Sequence, residues 1–397
     1  MSDWDECLGA ELHQLHRRGL LRSLRPVSDA AYPALTREGK RLINFSSNNY
    51  LGLAGHPRII EAEEASAKRG AGSAASRLII GHDEETGRLE REIAEWKGTE
   101  SALLFSNGYM ANLGVLSALL TPGDAVFSDQ LNHASIIDGI RLSGAKKYIY
   151  RHNDPDHLEM LLKQADREGV KRKLIVTDTV FSMDGDLAPL KELAELKRRY
   201  GAALMVDEAH GGGVYGPEGE GVTHMLEVHD RVDLQMGTFS KAFGVYGAYV
   251  AGNRKWIRYL LNTSRSLIYT TGLPPAVIGG IRAALSLVRE GSQLRQQLFQ
   301  KSSRFREKLR EAGFSIPSHS SPILPLVIGG APETLRLSEA LAEQGIHALA
   351  IRPPTVPPGT ARIRFSFMAN HDPADLDRCA DTVIRLGESM GLVEQVG

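Results

Sequence analysis

Between residues 100 and 250, short apolar runs bounded by turn residues alternate with stretches of helical periodicity, and few architectures accommodate that alternation. The runs Ala102 to Phe105, Ala125 to Ser128, Lys147 to Tyr150, Lys173 to Asp178, Ala203 to Asp207 and Val232 to Met236 read as strands, with Leu187 to Tyr200 among the helices between them. Such alternation predicts an α/β fold: a mostly parallel central sheet flanked by helices on both faces. Ligands of these sheets collect at the carboxyl ends of the strands, so chemistry is sought there. Residues 1 to 25 read as an amphipathic helix ending in Arg17, Arg18, Arg22 and Arg25, and Pro57 to Lys68 as another helix. A long helical region runs from Pro274 to Ala312. The rhythm then changes, with strands Ile323 to Ile328, His347 to Ile351 and Ala361 to Phe367 among helices Pro332 to Gln344 and Pro373 to Met390. The expected organisation is an N-terminal helical segment over 1–45, a large α/β domain over 46–285 and a smaller C-terminal α+β domain over 286–397.

Charge narrows the partners. Forty-seven Lys and Arg against 48 Asp and Glu leave a net charge of -1, so no global field recruits nucleic acid or an anionic membrane. Cys7 and Cys379 lie far apart in sequence, which argues against a zinc site or a disulfide framework and fits a reducing compartment. Asp3, Asp5, Glu6 and Glu11 make the N-terminus unlike a targeting peptide, and no apolar run approaches the ~18 residues of a membrane span. The cytoplasm is the expected location.

The stretch Gly237 to Gly244 holds Lys241 between small residues just after a strand. A lysine in such a glycine-framed turn, poorly placed for solvation, is suited to form a Schiff base with a carbonyl, and Thr238 and Ser240 could bind the phosphate of pyridoxal phosphate. A tight turn with an ordinary exposed lysine explains the octapeptide equally well. The strand Ala203 to Val206 ends in Asp207-Glu208-Ala209-His210, which puts a carboxylate where it could pair with a pyridine nitrogen. Asp-Glu-Ala-His also occurs in nucleotide hydrolases, but the one Gly-Lys of the chain, Gly39-Lys40, is followed by Arg41 and builds no phosphate loop. Gly211, Gly213 and Gly216 match a dinucleotide fingerprint by chance, since Pro217-Glu218-Gly219 follows where a helix is needed. At Ser106 to Tyr109 a strand gives way to a helix whose first amides, with Gly108, suit a phosphate, and Tyr109 could line a ring; a structural turn is the alternative. His133 could stack on a ring or simply cap a helix. Ser182, in Val180 to Gly185, offers a hydrogen-bond donor.

Taken together, His133, Ser182, Asp207, His210 and Lys241, each at or just after a different strand end, make these signals jointly strong. With Asn44 to Gly52, Asn132 to Ser135, Val180 to Gly185, Val206 to Gly211 and Thr238 to Gly244, the chain resembles the α-oxoamine synthases over about Leu21 to Gly387. These are fold-type I pyridoxal phosphate enzymes that condense an amino acid with an acyl thioester and release carbon dioxide. The segment Ala350 to Pro357 with Gly359 to Arg362 is similar to the branch serving biotin biosynthesis, which takes L-alanine and a pimeloyl thioester carried by coenzyme A or an acyl carrier protein. Siblings using glycine and acetyl-CoA usually differ there, and a non-catalytic partner subunit of the same fold would have no need of Lys241, Asp207 and His133. The resemblance implies Lys241 as the Schiff-base lysine, Asp207 on the ring nitrogen, Ser182 and His210 near the ring hydroxyl and His133 stacked on the ring. It further implies Gly108, Tyr109 and Thr238 in the cofactor site. Asn48 and Arg352 would hold the amino acid carboxylate; Arg22 and Thr355 would meet the acyl substrate. Thr270 and Thr271 match the segment that reaches a neighbouring subunit's phosphate, so a homodimer with shared sites is implied. Ala74-Ala75, Thr86 and Gly212 depart from the family's usual residues without removing a catalytic group, and bear on acyl chain length.

Overall fold

A strand that is apolar at successive positions has no face to give to water and must lie between two layers. The computed structural model, which describes residues 3–18, 20–22 and 24–393, places the alternating runs in that position. Two N-terminal strands, β1 (Ala34–Arg37) and β2 (Lys40–Asn44), precede the central set. That set comprises β3 (Ser101–Phe105), β4 (Ala125–Asp129), β5 (Lys146–Tyr150), β6 (Lys173–Asp178), β7 (Ala203–Asp207), β8 (Leu234–Thr238) and β9 (Ala248–Gly252). Their order is β3-β9-β8-β7-β6-β4-β5, parallel throughout except for β9. Successive residues serve opposite faces: Leu103, Phe105, Val176 and Met205 join one apolar cluster, while Ala102, Leu104, Ile175 and Leu204 join the other.

Two sequence expectations shift here. The strand before Lys241 runs over Leu234–Thr238 rather than Val232 to Met236, because the unexpected β9 pairs Gly237 with Tyr249 and Thr238 with Ala248. A Cβ at Gly237 would meet the Tyr249 hydroxyl at 2.4 Å, so only glycine admits this close approach. The N-terminal stretch expected to be helical is helical over Asp3–Arg17, with no buried residue, and then supplies β1 and β2.

The remaining strands are β10 (Ile323–Gly329), β11 (Ile346–His347), β12 (Leu349–Ile351) and β13 (Ala361–Ser366). The single strand expected over His347 to Ile351 is divided between two sheets. β11 lies parallel to β2 in the order β1-β2-β11, whereas β12 joins β10-β13-β12. Ile346 opposite Ile43 thereby ties the two ends of the chain together. Among the described residues, no helix is long and apolar enough to cross a membrane. Because β3, β4, β6, β7 and β8 all point the same way, their carboxyl ends converge on one edge.

Candidate active site

The turn after β8 carries Lys241, whose Nζ lies 2.9 Å from Nε2 of His210, just beyond β7. The other nitrogen of that ring, Nδ1, is 2.7 Å from the Tyr50 hydroxyl, which in turn donates to Asn48 Oδ1 at 3.1 Å. The Lys241 residue keeps some accessible surface, but its amine lies deep: burial pushes it down to about 8, against the opposing pull of Asp207 and Asp178. Burial, reinforced by Lys241 and Arg364, holds His210 well below the ordinary imidazole range, so its neutral ring accepts from the ammonium.

A cavity of about 180 Å³ gathers residues from the converging strand ends. Gly108 and Tyr109 come from the end of β3, His133 from β4, Ser182 from β6, Asp207 and His210 from β7, and Thr238 and Lys241 from β8. Asp207 is 3% exposed and accepts from Asn112 Nδ2 at 2.7 Å and from the Ala209 amide at 2.8 Å, neither of them cationic. Beside it Asp178 accepts from the His133 amide at 2.8 Å; burial, with the charge of Asp207, raises its carboxyl well above the usual range. Burial lowers His133, with Lys241 adding to the effect and Asp207 opposing it, even though the residue as a whole is exposed at the cavity mouth. Thr238 Oγ1 donates to the Gly247 carbonyl at 2.9 Å and accepts from the Ser240 amide at 3.2 Å. The Tyr109 hydroxyl bonds to Asp138.

These residues fit pyridoxal phosphate. A buried carboxylate with only amide partners at the cavity wall suits a protonated ring nitrogen. A Cβ at Gly108 would meet nothing nearer than Met236 and Thr238 at 3.7 Å, so protein packing does not demand the glycine. The room it leaves adjoins the cavity at the start of the helix Gly108–Leu119.

Other expected residues lie elsewhere. Thr270 and Thr271 line a separate small cavity with Arg77 and Thr86, and Thr271 bridges to Ser76. Arg22 is exposed between the first helix and β1, and Thr355 is exposed on the loop after β12. Arg352 is on the same loop, and neither it nor Asn48 is among the residues lining the Lys241 cavity. The guanidinium found beside Asn48 is that of Arg364, which donates to Asn48 Oδ1 at 3.0 Å and to the Ser182 carbonyl at 2.5 Å. Arg364 was not singled out from sequence, yet β13 reads Ala-Arg-Ile-Arg-Phe-Ser. Two arginines alternating with apolar residues, both under 9% exposed, are charges turned inward for a purpose. Asn112 and Ser135 were missed as well; the signal for Asn112 is an amide on the otherwise apolar buried face of the helix Gly108–Leu119.

Behind the loops that carry His133 and Ser182, His152 bridges Asp129 Oδ1 at 3.0 Å and Asp186 Oδ2 at 2.7 Å. Burial opposes its charge, but the hydrogen bonds and charges of the two carboxylates prevail and raise it to about 10. Because the folded value exceeds the ordinary 6.5, the resulting stabilisation is whole below about pH 6.5 and is lost as pH rises through about 10. His152→Gln should therefore lower the thermal midpoint most at pH 6, with the deficit shrinking toward pH 10. A deficit constant over that window contradicts the assignment.

The family of class I and II aminotransferases matches residues 40–383. A Bacillus cereus (strain ATCC 10987 / NRS 248) protein named "Putative 8-amino-7-oxononanoate synthase" is 50% identical over 390 residues, spanning 98% of each chain. Among solved structures, a variant serine palmitoyltransferase from S. paucimobilis with a bound PLP–myriocin aldimine superposes with a TM-score of 0.91 at 29% identity, covering 99% of this chain and 100% of that one. The 8-amino-7-oxononanoate synthase of Francisella tularensis gives a TM-score of 0.76 at 29% identity, covering 88% of this chain and 98% of that one.

Proposed function

The chain belongs to the class I and II aminotransferase family, among its pyridoxal phosphate enzymes of the α-oxoamine synthase type, and on that premise we propose that it joins L-alanine to a pimeloyl thioester with loss of carbon dioxide. The product is 8-amino-7-oxononanoate, for biotin biosynthesis in the cytoplasm, and the acyl carrier is coenzyme A or an acyl carrier protein. The observation that carries this reading is the meeting of the Lys241 amine, the Asp207 carboxylate and the His133 ring in one cavity. The choice of substrates is supported by the 50% identity, over nearly the whole chain, to a protein of that name.

Bound there, pyridoxal phosphate supplies an electron sink for a carbanion at the amino acid's α-carbon. In this reading Asp207 would hold a proton on the ring nitrogen, His210 and Ser182 would meet the ring hydroxyl, and His133 would cover one ring face. Gly108, Tyr109 and Thr238 line the rest of the cofactor site. Lys241 would tether the resting cofactor, take the α-proton and later return one to the product; His210, 2.9 Å away, is placed to orient its amine. Arg364 with Asn48, joined by Arg352 from its loop, binds the amino acid carboxylate through forked donors. Arg22 and Thr355 meet the acyl chain. The working unit is a homodimer in which Thr270 and Thr271 reach the phosphate held by the other subunit.

One observation favours a second reading with the same site and other substrates: the TM-score is 0.91 with the serine palmitoyltransferase against 0.76 with the Francisella enzyme. Purified enzyme is therefore given L-alanine, glycine or L-serine with pimeloyl-, acetyl- or palmitoyl-CoA, and products are identified by mass spectrometry. L-alanine with pimeloyl-CoA is expected to give the highest specificity constant. The amino acid preference should be the softer half, since one methyl group in an apolar pocket discriminates by only ~1 to 3 kcal/mol. The acyl preference should be sharper, because the terminal carboxylate of a pimeloyl chain needs a cationic partner. A higher constant for glycine with acetyl-CoA, or for L-serine with palmitoyl-CoA, overturns the substrate assignment.

A further inference from the structure

We propose that Asn112 and Ser135 are positioning residues that hold His133 as a neutral imidazole with its proton on Nε2, through a hydrogen-bond chain that begins at Asp207. The chain is continuous: Asn112 Nδ2 donates to Asp207 Oδ2 at 2.7 Å and to Ser135 Oγ at 2.9 Å, and Ser135 Oγ lies 2.8 Å from His133 Nδ1. Its links are sealed from water, with Asn112 at 0% exposure, Ser135 at 1% and Asp207 at 3%.

Donor and acceptor roles follow from the Asp207 end. A carboxylate can only accept, so the Asn112 amide must turn its NH2 toward it; the flipped amide would set oxygen against oxygen. In this orientation Asn112 Oδ1 has no partner, so the two Nδ2 bonds decide the rotamer. Ser135 Oγ, having accepted from Asn112, has its own hydrogen to donate, and His133 Nδ1 stands within reach. A second donor converges on the same nitrogen: the Ser135 backbone N–H, at 3.3 Å, where the His133 side chain caps the helix Ala134–Ser143. With two donors aimed at it, Nδ1 accepts, and the ring's one proton sits on Nε2. Nε2 has no protein partner among the described residues, and His133 lines the cavity with Lys241 and Ser182.

On the functional reading above, that free N–H donates to an oxygen of the bound substrate, its acyl carbonyl or its carboxylate. Asp207 and His133, 74 residues apart, are thus set by one network rather than separately.

The test is long-range ¹H–¹⁵N spectroscopy of ¹⁵N-histidine-labelled holoenzyme at neutral pH, with the His133 signals identified by their loss in His133→Asn. The expected spectrum is that of the Nε2–H tautomer; an Nδ1–H or doubly protonated ring overturns the proposal without any variant. Ser135→Ala should mix the tautomers and lower kcat about tenfold, the scale of one net hydrogen bond, with bound cofactor retained. Ser135→Thr, which keeps the hydroxyl, should restore both, and Asn112→Ala should resemble Ser135→Ala. Unchanged tautomer signals in Ser135→Ala overturn the role of the chain. Absence of turnover with every substrate pair would sink the functional reading instead, and leaves the tautomer result to stand or fall by itself.

Discussion

Lys241→Ala is expected to fold, to bind pyridoxal phosphate without a covalent link, and to lose turnover by roughly four orders of magnitude, the upper range for a positioned acid–base group. In the proposed reaction one amine does two jobs, tethering the cofactor and carrying the proton, and among the described residues no other lysine lines the cavity. Another deeply buried lysine, Lys97, is also lowered to about 8 by burial, but it is 0% exposed and bonded to the Glu220 carbonyl, so it has no path to substrate. Borohydride reduction of the parent enzyme followed by peptide mapping should place the cofactor on Lys241. Recovery of the label on a different lysine removes the basis of the site.

Asp207→Asn should keep the fold and most of the cofactor affinity while the rate falls by roughly two to four orders of magnitude. The fold survives because the amide oxygen still accepts from the Ala209 amide, while the new NH2 faces Asn112, whose side-chain amide can turn its partnerless oxygen to accept from it. The rate falls because an amide cannot keep a proton on the ring nitrogen, and the carbanion then lacks its electron sink. Steady-state kinetics decide the matter: a variant within about threefold of the parent shows that the carboxylate does not serve the ring nitrogen.

Much of the site was legible beforehand because its residues follow strand ends, and strand ends are marked locally. The sequence pattern of Lys173 to Asp178 and Ala203 to Asp207 coincides with the observed strand bounds, which puts Asp207 and His210 at the sheet's carboxyl edge. β9 escapes a local reading: its five buried residues pair on one side with β8, which directly precedes it, and on the other with the distant β3, and it holds Gly237 in the ladder. His347 to Ile351 looked like one strand because apolar spacing cannot say which sheet each half will join.

The sequence by itself determined the α/β class, the parallel direction of the strands that bear the chemistry and the identity of the groups at their ends, since each rests on periodicity and turn chemistry within a few neighbouring residues. Only the tertiary structure decided who holds those groups. Asn112 reaches Asp207 across 95 residues and Arg364 reaches Asn48 across 316. A buried donor must find its acceptor in three dimensions, and no local pattern records which distant acceptor folding will bring to it.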